Sequence, residues 1–539
     1  MKKIKYIATA LFLGLFLSSC DDYLEEDVRS NVTGDEFYTT EEGFESLVNA
    51  NYAQLKEIYG NEPWLFAAGT DMYAEGRDAE PPGLSQYTQL APNSEGVAQL
   101  YNTCYKAIQA ANTAIYYSDI TENTSQLNAR IGEIKFLRAH AYFLLVQTYG
   151  GVGLVNEYFV DPRLKFDRNS AEEVYSYIIT EMEEALEMVE DATYGGRVNR
   201  RTIQHYLAKV FLTRAYEDFG LASDFETAAG YADAAIGGEA LTLSFAELWF
   251  PDNSIKPGTI FSVQYSEGAL ATDPYKLGHM QTAYFGPYQG GNEFSGKAPY
   301  RTYTLCPTQY AIDLFSEDDN RWDVTFMQEV YDRYFDYFEN DDTSGLPVAH
   351  YYAAAWEDTQ EFQDAYMETH PNAVYHPYGS YVPSINPNND YQTIPVKKFD
   401  DPSAQFGQST STRDIILARL AETYLIAAEA YLQAGETTTG LQRLNEVRQR
   451  AGVSDASLAE FDIDYILDER GRELLGEYHR WFDLKRTGKL VERASMYHYL
   501  IEESNFNGAN GALKILRPIP QEVLDLNQNN EFPQNPAYQ

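Results

Sequence analysis

Residues 420–452 read LAETYLIAAEAYLQAGETTTGLQRLNEVRQRAG. Ala428 and Tyr431 lie three apart, on one face of a first helix, because residues three and four apart share a helix face. Gly440, Leu444 and Val447 follow at the spacings of a second helix packed on the first. Small residues belong at such places because the two helices approach closely.

Counted from Leu420, the offsets 8, 11, 20, 24 and 27 match the small and aromatic positions of a tetratricopeptide repeat. A looser copy runs from Thr202, with Ala215 and Phe219 expected on one helix and Ala228, Ala232 and Ala235 on the next. A third first helix is expected in IKFLRAHAYFLLVQTYGG (134–151), with Ala139 and Tyr142, and its partner in SAEEVYSYIITEMEEALEMV (170–189). The alternative is a set of generic helical hairpins without true repeat geometry. Either way the fold class is dominated by α-helix: a scaffold of tetratricopeptide-like helical pairs with a large irregular, loop-rich insertion. Helical patterns occupy roughly 35–240 and 410–500, and the stretch between is rich in Tyr, Pro, Gly and Asn.

The 539-residue chain opens with lysines at 2, 3 and 5 and an apolar run from Tyr6 to Leu17. That run is shorter than the roughly 20 residues a membrane-spanning helix needs, and with its positive start it reads as a secretory signal. Leu17-Ser18-Ser19-Cys20 then resembles a lipobox, in which the cysteine is diacylated and the leader is cut before it; an ordinary export signal with an incidental cysteine is the alternative. Five acids follow at once: Asp21, Asp22, Glu25, Glu26 and Asp27.

Net charge is −41, and −44 without the three leader lysines. Such a chain is ill suited to nucleic acid, whose binding rests on basic patches that neutralise phosphates. With 44% hydrophobic residues and 44 tyrosines it has ample material for a large core. Cys104 falls in an Ala-rich helical pattern and reads as a buried thiol; a Cys104–Cys306 disulfide is the alternative in an oxidising compartment.

Four segments in order resemble one family. They are GEIKFLRAHAYFLLVQTYGGVGLV with its Tyr-Gly-Gly turn, the repeat at 420–452, DERGRELLGEYHRWFDLKRTGKL, and the terminus LRPIPQEVLDLNQNNEFPQNPAYQ. The third carries the charged signature Glu469, Arg470, Glu473, Glu477, Arg480, Asp483, Leu484 and Arg486. Together, behind a lipobox, they resemble the SusD/RagB family of outer-membrane nutrient-uptake lipoproteins across essentially the whole chain. Two departures stand out: Ala537 where Gly is usual, and Gly476-Glu477-Tyr478 in place of Phe-Glu-Gly, which leaves the charge pattern intact. The resemblance implies residues 1–19 as a lipoprotein signal peptide, 20–34 as an acidic tether and 35–539 as one SusD-like domain. Within it, 35–240 and 410–500 are scaffold, 241–409 the insertion and 501–539 the tail. It further implies a protein anchored through Cys20 to the outer membrane, facing the exterior, exported by its acidic run. There it would partner a SusC-like TonB-dependent transporter and pass it a glycan or, in some relatives, a peptide.

Catalytic signatures are lacking. The chain has no H-E-x-x-H, G-x-S-x-G or Walker A motif. Glu473 and Glu477, a turn apart, are a conceivable hydrolytic pair, but alternating charges at three- and four-residue spacing read more simply as an ion-pair network along a helix. Trp481 and Phe482 beside them suggest docking on the core. The Gly150 turn follows a helix and reads as its end, not as a phosphate cradle. His370 and His376 lack further ligands at metal-like spacing. SEDDNRWD (316–323) is acidic but lacks the turn glycine of a calcium loop. No cofactor is implied.

Sugar binding calls for aromatic plates with amides, carboxylates or guanidinium groups at their edges. Residues 60–89 offer Trp64, Asp71, Tyr73, Arg77, Asp78 and Tyr87; residues 271–303 offer Tyr275, Tyr284, Phe285, Tyr288, Asn292 and Arg301; a third candidate is Trp356. These rest on loop context, since the family holds its binding residues in no shared motif. The reading is a non-catalytic glycan-binding lipoprotein, with a peptide-binding uptake protein and, more remotely, a glycan-degrading enzyme as alternatives.

Overall fold

The computed structural model describes residues 34–76, 82–252, 254–266, 278–286, 296–302, 304–381, 393–404, 410–529 and 531–539. The leader, Cys20 and the acidic run lie outside the described residues. The longer helices before the insertion are α1 (Glu41–Tyr59), α2 (Val97–Ser118), α3 (Leu127–Tyr149), α4 (Ala171–Met188), α5 (Arg200–Ala215) and α6 (Ser223–Ile236). The insertion carries α7 (Gln360–Thr369). After it come α8 (Leu420–Gln433), α9 (Thr437–Arg450), α10 (Ile463–Glu473), α11 (Arg480–Arg486) and α12 (Leu490–Tyr497). Strands are short: β1 (Tyr73–Ala74), β2 (Thr259–Val263), β3 (Cys306–Pro307), β4 (Glu329–Tyr331), β5 (Val348–Tyr352), β6 (Val374–His376) and β7 (Ile415–Arg419).

Segment 420–452 forms the pair α8–α9, packed against each other. Gly440 makes that possible: a Cβ there would lie 2.7 Å from the Ala428 carbonyl oxygen and 3.1 Å from the Phe461 ring. Overpacking such a contact costs typically 1–3 kcal/mol. Gly440→Val is therefore expected to lower unfolding stability by about that amount in a urea titration; an unchanged midpoint would show that the close approach is dispensable.

The other pairs form as expected, α3 on α4 and α5 on α6. Helix α3 is buried on nearly every side from Gly132 to Tyr149, between α2, α4 and α1, so it is a core helix with no solvent face. It stops at the Tyr149-Gly150-Gly151 turn. Two of the starts are locally encoded: Ser170 and Glu173 form a capping box on α4, and Asn199 caps α5 through the Thr202 N–H. Phe219, expected on α5, lies beyond its end and packs on Tyr175 from the turn.

Although the insertion separates them in sequence, α6 packs on α8, so the helical array is continuous in space. The joint is a two-stranded antiparallel ribbon, β2 with β7, lying against α1 and α5. Residues 415–419, within the stretch read as helical, are thus strand. Ile415, Leu417 and Ala418 are buried there, and the β-branched pair Ile415-Ile416 suits a strand. Beyond the ribbon, β4, β5 and β6 form a small mixed sheet.

The tail closes the far end of the core. Asn535 donates to the carbonyls of Tyr149 and Arg517, and the Arg517 N–H donates to the Thr148 carbonyl. Two of the four resemblance segments therefore touch: the terminus clamps the Tyr-Gly-Gly turn. Ala537 keeps an ordinary backbone there, outside the left-handed region, so alanine is accommodated. No disulfide joins Cys104 to Cys306; both are buried, Cys104 within α2. Among the described residues no helix is long and apolar enough to cross a membrane.

Candidate functional site

Two of the sequence stretches chosen for aromatic and polar residues meet in space. The Met280 N–H donates to the Gly60 carbonyl, Tyr73 pairs with Pro307 in the β1–β3 ladder, and Thr308 Oγ1 donates to the Asp71 carbonyl at 2.6 Å. At the junction stands Glu62. Its Oε2 accepts from Tyr284 Oη at 2.8 Å and from Trp64 Nε1. Glu62 and Tyr284 are half-buried, as is Tyr300 close by. Burial, and then the Glu62 carboxylate, push the Tyr284 hydroxyl far above the ordinary phenol range, so it stays a hydrogen-bond donor. A carboxylate held by two donors keeps lone pairs for ligand hydroxyls, and aromatic rings beside it offer apolar faces.

Several candidates brace this junction and do not line it. Asp71 is buried under a bidentate pair with Arg480 (2.7 and 2.5 Å), fixing the first loop to α11. Arg301 is buried and pairs with Asp400 at 2.6 Å. Tyr73 and Phe285 meet edge to face in the core, 5.2 Å between centroids. Tyr87 donates to the Gly69 carbonyl and accepts from Trp481 Nε1. Trp64, though it touches Glu62, is 3% exposed. Each was expected as a surface plate or edge; packing claims them because aromatic area is the core's main currency in so tyrosine-rich a chain. Arg77, Asp78, Tyr275, Tyr288 and Asn292 lie outside the described residues.

Trp356 is half-buried, edge-on to Trp322, at the margin of a second aromatic group. There Tyr366 of α7 stacks on Tyr351 at 3.8 Å, with Phe362 and Tyr375 alongside. Neither this group nor Glu62 was singled out from sequence. Glu62, two residues from Trp64, was in view; the α7 contacts join separated segments and had no local signal.

The charged signature is buried, and it is not a ladder along one helix. α10 ends at Glu473, the chain turns at Gly476 (φ +78°), and Glu477 lies beyond. Glu473 pairs with Arg419, Arg450 and, at 3.1 Å, Arg321; Glu477 pairs with Arg419 and Lys398. Glu469 pairs with Arg321, Arg448 and Arg472, Arg470 with Asp483, and Arg486 with Glu429 and Asp483. Desolvation opposes ionisation, yet Arg321, Arg472 and Arg448 hold the Glu469 carboxyl down to about 2. Carboxylates so enclosed have no access to a glycosidic bond, which removes the hydrolytic-pair reading. Trp481 and Phe482 dock into the core beside them.

The replacement at 476–478 is not neutral for the backbone. Tyr478 sits at φ +66°, a left-handed conformation costly to a side-chain-bearing residue, while its ring stacks on Tyr59 and Phe66. Asp319 of the acidic 316–323 segment is neutralised by Arg321 at 2.7 Å. His376 faces His350 at 3.0 Å, and among the described residues no three His, Cys, Asp or Glu side chains are arranged to hold a metal.

Comparison with known proteins agrees with this architecture. A family model described as "SusD family" matches residues 257–538, and one described as "Starch-binding associating with outer membrane" matches residues 22–216. "SusD-like protein P38" of Formosa agariphila is 24% identical over 529 residues, covering 91% of this chain and 93% of its own. "Starch-binding protein SusD" of Bacteroides thetaiotaomicron is 24% identical over 488 residues, 85% of this chain and 82% of its own. A solved structure described as a laminarin-binding SusD-like protein superposes with a TM-score of 0.70 at 21% identity, covering 93% of this chain and all of that one.

Proposed function

The chain belongs to the SusD family, and from that premise we propose that it is a non-catalytic, cell-surface lipoprotein that binds a glycan and delivers it to a SusC-like TonB-dependent outer-membrane transporter. The observation that carries the binding reading is the Glu62–Tyr284 junction, where a half-buried carboxylate and tyrosine come together from two segments far apart in sequence. That the relatives are described as binding starch or laminarin supports a glycan over a peptide. Membrane association is supported by the description of the family model matching residues 22–216, and the anchor at Cys20 by the lipobox.

Glu62→Gln and Tyr284→Ala, half-buried and so tolerant of change, are expected to weaken retardation in gels containing laminarin or starch by tenfold or more together. The helical far-ultraviolet spectrum should stay unchanged. Undiminished retardation would dismiss the junction as the site, and retention of peptides alone would favour the peptide-binding alternative. Affinity purification from outer membranes is expected to recover a large β-barrel partner; a protein recovered alone would count against the transporter.

A further inference from the structure

A groove of about 390 Å³ opens between the middle of α1, the turn at residues 195–197 and the outer end of β2. It is apart from the Glu62–Tyr284 junction, and its volume lies in the range of small-ligand sites. In a chain with 81 acidic and 40 basic residues, no described residue lining it bears a carboxylate. Several of the lining polar groups can donate. Lys56 is half-buried, rests 4.7 Å over the Tyr265 ring, and makes no ion pair among the described residues. Asp414 acts on it only from beyond ion-pair distance. Asn49 accepts from Arg197 at 3.1 Å through its carbonyl oxygen, which leaves its NH₂ uncommitted among the described residues. Gln264 is exposed, and its amide lies over Gly196. Arg197, also in the lining, is already engaged by Glu45 and Glu133, so Lys56 is the cation with charge to offer.

We propose that this groove binds an anionic substituent of a glycan, a carboxylate or a sulfate ester, through Lys56 with the amides of Asn49 and Gln264. An ammonium and two amide NH₂ groups are matched by a group that only accepts, and a charge-assisted hydrogen bond is among the stronger polar contacts. The tyrosine ring beneath Lys56 holds the ammonium in place, while burial strips part of its hydration and lowers its pKa from the ordinary lysine value. The proposal rests on the glycan-binding reading and specifies it: the ligand carries negative charge.

Titration calorimetry of the mature chain with three probes tests it: a galacturonic acid hexamer, a sulfated galactan hexasaccharide and neutral laminarihexaose. At least one acidic probe is expected to bind more tightly than laminarihexaose, and to lose affinity in high salt. Lys56→Gln should weaken that probe roughly tenfold or more and leave laminarihexaose unchanged, while Lys56→Arg retains most of the affinity. Which acidic probe is preferred separates uronate from sulfate recognition. Equal acidic-probe affinity in Lys56→Gln and wild type overturns the groove, as does failure of both acidic probes. If laminarihexaose alone binds, the groove falls and the glycan reading stands; if no probe binds, both fall.

Discussion

Glu473→Ala is expected to cost about 3–5 kcal/mol of unfolding free energy, because removing one partner of a buried ion pair strands the other. Here the stranded charges are several. Glu473 is fully buried, and Arg419, Arg450 and Arg321 converge on it from three separate parts of the chain. The loss should appear as a lowered guanidinium midpoint followed by tryptophan fluorescence; a shift worth under about 1 kcal/mol would mean the arginines find other partners. The network also sets the acid limit of the fold. Burial opposes ionisation, but the arginines hold Glu473 well below the ordinary range and Glu469 at about 2, against 4.5 for a free glutamate. The unfolded chain therefore binds more protons, so this stability is present above pH 4.5 and is lost as pH falls toward 2. Acid titration of the folded state is the check.

Cys20→Ser is expected to move the protein almost entirely from the membrane pellet to the soluble fraction. Each buried methylene of an acyl chain contributes about 0.8 kcal/mol, so two chains anchor firmly and none leaves a strongly acidic protein with no hold on an anionic surface. Changing Asp21, Asp22, Glu25, Glu26 and Asp27 to Ala should leave the protein in the pellet yet protect it from protease added to intact cells. Persistence of the serine variant in the pellet would refute the anchor, and full protease accessibility of the alanine variant would refute the export label.

Lys56→Gln and Glu62→Gln are independent of both, since neither residue touches the buried signature. The two glutamine variants also separate one binding surface from the other: the first should affect acidic probes alone, the second neutral glycans as well.

The helical pairs were legible because helix periodicity and capping are local: Ala428, Tyr431, Gly440 and Leu444 declare α8 and α9 within one stretch, and Ser170 with Glu173 declares the start of α4. The Gly150 turn was legible for the same reason. What Glu473 does was not, because its partners Arg419 and Arg321 lie 54 and 152 residues away, and spacing along a helix says nothing about them. Trp64, Tyr73, Tyr87 and Phe285 read as plates and proved to be core, since an aromatic ring in a loop serves equally well inside or outside until the loop is folded. Likewise Tyr478 looked like a harmless exchange until its left-handed backbone was seen beneath a favourable ring stack. By itself the sequence determined the helical array and its family, both carried by contiguous residues. Only the tertiary structure decided which carboxylates are buried braces and which, like Glu62, stay half-buried at a junction, because burial is the product of contacts between segments far apart in the chain.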